Sequence, residues 1–217
     1  MMEKKANFIK ARNKASEILL LQDDSILFPI DVKTIKIPNN NIKFVSYKDY
    51  ANSVNIDVNI LNNNGEFKDA MIYRKDKNCL ILYNNETSNK GRMLWTLAHE
   101  MGHLVLNHSD QNEISEIEAN TFASQLLLPQ CVLKALFLGG KKITIPYLQS
   151  RFGLSVSAAK SCLKLVGKKL ENEYEAEYDD IILYKCDNFI KSELSDSFSY
   201  QNLENMDEER NKWLNDL

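Results

Sequence analysis

Histidine is nearly missing from this chain, with three residues in 217. Any site built on imidazole must use His99, His103 or His108, and two of these fall in one pentapeptide. Cysteine is almost as sparse: Cys79, Cys131, Cys162 and Cys186 are widely scattered without paired spacing, which argues against a disulfide framework or a cysteine-rich zinc module. They fall mostly among apolar neighbours and read as buried, reduced thiols. Long apolar runs are lacking too. No hydrophobic leader with a small-residue cleavage site follows Met1 to Phe8, and Ile18 to Leu21 is far too short to span a bilayer, so the expectation is a cytoplasmic protein. Length and the balance of apolar and charged residues fit one compact catalytic domain with appendages.

What is present is the run His99-Glu100-Met101-Gly102-His103. Between Met93 and Leu106 there is no proline and only one glycine, Gly102, while Leu94, Leu97, Ala98, Met101, Leu104 and Val105 supply a broad apolar surface. The expectation is a largely buried helix. Residues four apart on it lie on one face about a turn apart, so His99 and His103 can aim ring nitrogens at one ion. Glu100, rotated by roughly 100° from His99, lies where it can hydrogen-bond a metal-bound water and act as general base. Zinc lowers the pKa of such a water to about 7, so a carboxylate can take its proton at neutral pH.

Catalytic zinc usually takes three protein ligands, and Asp110, Glu113, Glu116 and Glu118 are the downstream candidates. Glu113 to Leu128 reads as a second helix ended by Pro129. Glu116 shares a stripe with Ala119, Asn120, Ala123 and Leu127, whereas Glu118 is turned by roughly 200° from it toward Phe122 and Gln125. The small alanines mark a face that can approach another helix closely, which makes Glu116 the expected third ligand. Asn120, one turn on, can accept the second ring N–H of a ligating histidine. Glu113 is the alternative ligand, Asp110 sits in the polar connection, and a solvated acidic face is the plain reading of all these acids. His108 has the wrong spacing for a third histidine ligand, since Leu106 and Ser109 stand where that pattern needs Gly and His. It reads as a surface or helix-end residue. With Tyr73 and Tyr83 it is also a candidate for contacting substrate or stabilising an oxyanion.

Elsewhere, Lys4 to Leu21 reads as an N-terminal helix, Phe28 to Val32 as the start of a short second one, and Asn39 to Asn41 as a turn. Ile42 to Tyr47 alternates as a strand, and Ala70 to Arg74 should pair with Cys79 to Tyr83 across a turn at Lys75 to Asn78. One strand should border the cleft and let an extended peptide add to the sheet. Ser88 and Asn89 are cap candidates for the histidine helix. From Gln130 to Leu170 there are basic residues and no acid, with helices at Thr144 to Phe152 and Ser155 to Val166 joined at Gly153. That is a helix-turn-helix outline, read as structural in preference to DNA-binding. Glu171, Glu173, Glu175, Glu177, Asp179 and Asp180 then form an acidic run, echoed by Asp207, Glu208 and Glu209. Tyr174, Tyr178, Ile181, Ile182, Leu183 and Tyr184 give it enough apolar surface for order. A solvated peripheral element is the plain expectation; a restraint folded over the basic helices or the cleft is the sharper one. The division expected is 1–129 catalytic, 130–170 basic helical and 171–217 acidic.

Three blocks resemble the signature of the ImmA/IrrE family of metallo-endopeptidases: Leu97 to Leu104, Glu116 to Ala123, and Leu126-Leu127-Leu128-Pro129. Leu80 to Asn84 and Arg92 resemble the strand and the arginine that precede the zinc helix in that family. The resemblance implies an α+β, zincin-like fold, mainly helical with a small antiparallel or mixed sheet beside the zinc helix. It also implies Glu116 as third zinc ligand and cleavage of a cytoplasmic helix-turn-helix repressor, which would derepress its genes. Two rivals remain: a non-proteolytic regulator that binds DNA or a repressor around a structural zinc, and a toxin acting by broad proteolysis.

Overall fold

Short polar side chains start the helices by accepting backbone N–H groups that the first turn leaves unsatisfied. In the computed structural model, which describes residues 5–22, 25–38, 41–61, 69–75, 78–110, 112–170 and 178–195, with side chains of the seventh helix described to residue 164, Asn7 caps α1 (Phe8–Leu20) by accepting from Lys10 N. Ser46 caps α2 (Tyr47–Val54), and Asn89 caps α3 (Lys90–Val105) by accepting from Arg92 N. Asn112 and Ser115 cap α4 (Glu113–Leu127) reciprocally. Pro129 precedes α5 (Gln130–Leu138), and Thr144 caps α6 (Ile145–Phe152). The helices α7 (Val156–Leu170) and α8 (Asp179–Ser195) complete the set.

Two local expectations change. Tyr47 is the first residue of α2 and not the last of a strand, because the Ser46 side chain accepts from Asp49 N and turns the chain there. Phe28 to Val32 does not open an α-helix. Asp31 caps only a 3-10 turn at Val32–Thr34, and the chain is extended again at Ile35.

The sheet is mixed. β3 (Asn78–Tyr83) is central, with β2 (Ala70–Lys75) antiparallel on one side in the register Ala70↔Tyr83, and β1 (Asn41–Ser46) parallel on the other in the register Asn41↔Asn78. The turn residues at 76–77 and the asparagines at 39–40 lie outside the described residues, as do 171–177 and 196–217 with most of the acidic run.

A single cluster of buried side chains runs from Ala11 and Ala15 of α1 through Met101, Phe122 and Leu126 to Phe152, Ala159, Ile182 and Leu194. The helices α3 and α4 lie at its centre. A Cβ on Gly102 would stand 3.1 Å from Ala119 O and from Phe122 Cδ1, tighter than ordinary contact, so the missing side chain eases this close approach. Gln125 of α4 donates to Ser16 of α1 at 3.1 Å, which ties the N-terminal helix to the same face. The turn between α6 and α7 uses Gly153 at φ 67°, a left-handed conformation that favours glycine. It rests on the start of α3, where a Cβ on Gly91 would come within 2.6 Å of Ser155 N.

The helix α8 is no solvated appendage: it buries Ile182, Cys186, Ile190, Glu193 and Leu194 against the core. The four cysteines are buried free thiols, and burial pushes Cys186 up to about 12. No single described helix is long and apolar enough to cross a membrane; α4 and α5 pass together only as a pair bent by 49°.

Candidate metal centre

The close approach of α3 and α4 at Gly102 sets three donor atoms face to face. His99 Nε2 and His103 Nε2 are 3.0 Å apart, Glu116 Oε2 is 3.2 Å from the first, and Glu116 Oε1 is 3.3 Å from the second. Among the described residues these three form the group whose ligand atoms are close enough to share an ion. Asp110 and Glu113, the other acids considered, are exposed and outside it.

The outer nitrogens settle where the protons are. His99 Nδ1 lies 3.0 Å from Asn120 Oδ1, which also accepts from Trp95 Nε1 at 3.3 Å. A carbonyl oxygen only accepts, so Nδ1 carries the proton and a neutral His99 presents a bare lone pair at Nε2. His103 Nδ1 faces His108 Nδ1 at 3.0 Å, and His108 Nε2 faces the Glu118 carboxylate at 2.9 Å. The carboxylate fixes a proton on His108 Nε2, and in the singly protonated ring Nδ1 accepts and His103 Nδ1 donates. His103 therefore also turns a lone pair inward. Burial first, then neighbouring His99, His108 and Arg74, pull its pKa down to about 4 against the opposing pull of Glu116. His103 is neutral at physiological pH. Two lone pairs and a carboxylate thus converge, a donor set that fits a divalent cation.

Arg74 of β2 donates to the His103 carbonyl at 2.8 Å and joins the sheet to the histidine helix. Glu100, half-buried on the same helix, shares its surroundings with Tyr47. The Tyr47 phenol is pushed up to about 12 by burial, then by Glu100, Tyr73 and Asp69, and so stays protonated. Tyr73 is about half exposed at 52 %, and Tyr83 accepts from Lys33 Nζ at 3.2 Å. Among the described residues neither phenol is hydrogen-bonded to His99, His103 or Glu116. His108 is not a surface residue. Its side chain is 11 % exposed and stands behind His103, on the side away from the converging donors, where it cannot serve an oxyanion. Glu118 faces away from Glu116 as its period requires, yet it is bonded to His108 instead of lying on a solvated face.

With this geometry in hand, the family model described as the IrrE N-terminal-like domain, a peptidase family, matches residues 28–164, more than half of the chain. The chain belongs to the ImmA/IrrE family. No curated protein matches it. As a member of a metallopeptidase family with an α+β, zincin-like fold, this ImmA/IrrE protein carries the donor set on α3 and α4, inside the matched segment. The capping residue Asn7 and the helices α1 and α8 lie outside that segment. Arg92, the arginine of the resemblance, donates from Nε to Asp69 at 2.6 Å beside β2. Asn120 and Trp95, which hold His99, also line a cleft of about 740 Å³ together with Thr96, Thr121 and Ser124.

Proposed function

We propose that the protein is a zinc-dependent endopeptidase in which His99, His103 and Glu116 hold the ion and Glu100 is the general base. The observation that carries this reading is the convergence of two imidazole nitrogens and one carboxylate at 3.0 to 3.3 Å. Nitrogen ligands at tetrahedral zinc stand roughly 3.3 Å apart, from bond lengths of about 2.0–2.1 Å. Other divalent ions accept the same set. When bound, such an ion supplies a Lewis acid that polarises the scissile carbonyl and makes water acidic enough to ionise near neutral pH. Glu100 takes a proton from the attacking water and passes it to the leaving amine. Asn120 keeps His99 in its ligand tautomer.

The substrate class is an extended peptide. Among the described residues β2 is an edge strand, and its Arg74 reaches the histidine helix, so a peptide added along β2 would run beside the donors. The family resemblance supports a cytoplasmic DNA-binding repressor as the protein cut, with its genes derepressed as the result. The packing of the α6–α7 turn against Gly91 favours a structural role for that helix pair over direct DNA binding.

The test is a survey of new protein N-termini in cells making the wild type or Glu100→Gln. One or a few cleavages in a repressor, present only with the wild type, are expected. Many cleaved proteins would favour a toxin. No difference under normal or stressed growth would favour a non-proteolytic regulator.

A further inference from the structure

The chain leaves α3 through a left-handed residue, Asn107 at φ 56°. Asn107 N donates to Leu104 O at 3.1 Å and His108 N to His103 O at 3.0 Å. This pair of bonds is the Schellman closure, which folds the residue after the turn back along the last helical turn. Here that residue is His108, and its ring is carried to 5.1 Å, centroid to centroid, from the ring of His103. Behind it, the Glu118 side chain is only 12 % exposed. Glu118 Oε2 accepts from His108 Nε2 at 2.9 Å, while Oε1 accepts from the backbone N–H of Asn7 at 2.7 Å. Asn7 is the residue that caps α1.

We infer that His108 and Glu118, anchored by the Asn7 N–H, are positioning residues that hold His103 as the Nδ1–H tautomer and so couple metal affinity to the seating of helix α1. This rests on the reading of His103 as a metal ligand. An imidazole that coordinates through Nε2 must keep its proton on Nδ1, and which nitrogen carries it is decided by the partner of the other. For His99 the partner is one exposed amide, Asn120. For His103 it is a directed chain of three bonds, each with one donor and one acceptor, which ends on a backbone group that no side-chain motion can withdraw. The end of the chain lies at residue 7, ahead of the family segment that starts at residue 28. The N-terminal helix thereby contributes to a site whose ligands are all on α3 and α4.

Zinc affinity, measured by competition with a chromophoric chelator, tests this together with nitrogen NMR of the metal-free histidines. His108→Leu should weaken zinc by about 10- to 100-fold and move the His103 proton from Nδ1 toward Nε2. Glu118→Gln cannot accept from both His108 and Asn7, and should weaken zinc about tenfold. His108→Asn keeps an acceptor near the Nδ1 position and should recover part of the loss. Asn7→Pro, which removes the N–H, should weaken zinc where Asn7→Ser does not. If His108→Leu fails to fold, Glu118→Gln decides. Zinc affinity within about twofold of wild type in Glu118→Gln, or a wild-type His103 protonated on Nε2, would overturn the inference. If the wild type takes up no zinc, the proposed function fails, and the tautomer of His103 still decides the relay.

Discussion

At one end of the fold Glu193 of α8 is 4 % exposed and meets Lys141 Nζ at 3.2 Å together with the guanidinium of Arg151. Between α3 and α4, Glu116 meets the Nε2 atoms of His99 and His103 and, among the described residues, no Lys or Arg. Both carboxylates sit on packed helices, but the protein supplies cations to one and imidazoles to the other. Burial by itself would raise the pKa of Glu193; the neighbouring Tyr147 phenol and the two cations outweigh it and hold the carboxyl below its usual value. The contrast separates an acid paired with cations from one grouped with imidazoles whose ligand atoms are close enough to share an ion. It also shows where two residues of the basic block go: Lys141 and Arg151 are committed to α8, not to an outside polyanion.

Four changes would break or sharpen this contrast. The largest effect is expected for Glu100→Gln, which should lower peptide hydrolysis by about 10²- to 10⁴-fold while metal content and melting temperature stay near wild type. Retained turnover would remove the general base from the proposed chemistry.

Next, Glu193→Ala should cost about 1–3 kcal/mol in denaturant unfolding, because it removes a buried carboxylate that anchors two partly exposed cations to α8. The folded fraction should still bind one equivalent of metal. Loss of metal in the folded fraction would mean that the two carboxylates are not independent.

Gly102→Ala adds a methyl 3.1 Å from Ala119 O and Phe122 Cδ1. It should cost about 1–3 kcal/mol through overpacking and weaken metal binding, since α3 and α4 must part to admit it. Chelator competition beside calorimetry measures both, and unchanged affinity would show that the donor set tolerates a wider helix separation.

The last change is in acid stability without metal. The pKa of His103 falls from 6.5 to about 4 on folding, so between these values the unfolded chain binds the extra proton. The stability contributed is fully present above 6.5 and is lost as pH falls toward about 4. Glu193, held below the ordinary carboxylate value, should add its own loss only at lower pH. Melting temperature followed against pH should show the first stage disappear in His103→Gln.

The part of the site that was legible depends on one period. His99, Glu100 and His103 fall within five consecutive positions of a helix, and the choice of Glu116 over Glu118 needed only the rotation per residue within α4. The cap at Asn89 and the pairing of β2 with β3 are equally local. The network behind the site was not legible. Glu118 was rightly turned away from the metal face, but its partner is a histidine brought back by the left-handed Asn107. Tyr47 was assigned to a strand because its apolar alternation carries on past the Ser46 cap. The helix α8 was expected at the periphery because its charged neighbours dominate the composition, although Ile182, Cys186, Ile190 and Leu194 form a stripe along it.

By itself, then, the sequence determined which residues share a helix face, and with them the types of donor side chain and the place of Glu100 beside them, because helical geometry relates neighbours without reference to the rest of the chain. Tertiary structure decided everything that depends on a contact between elements. It set the distance between α3 and α4 at Gly102, the partners of the outer imidazole nitrogens in Asn120 and in His108 with Glu118 behind it, and the supply of cations to Glu193 and not to Glu116. Those contacts join residues far apart in sequence, and no local period encodes them.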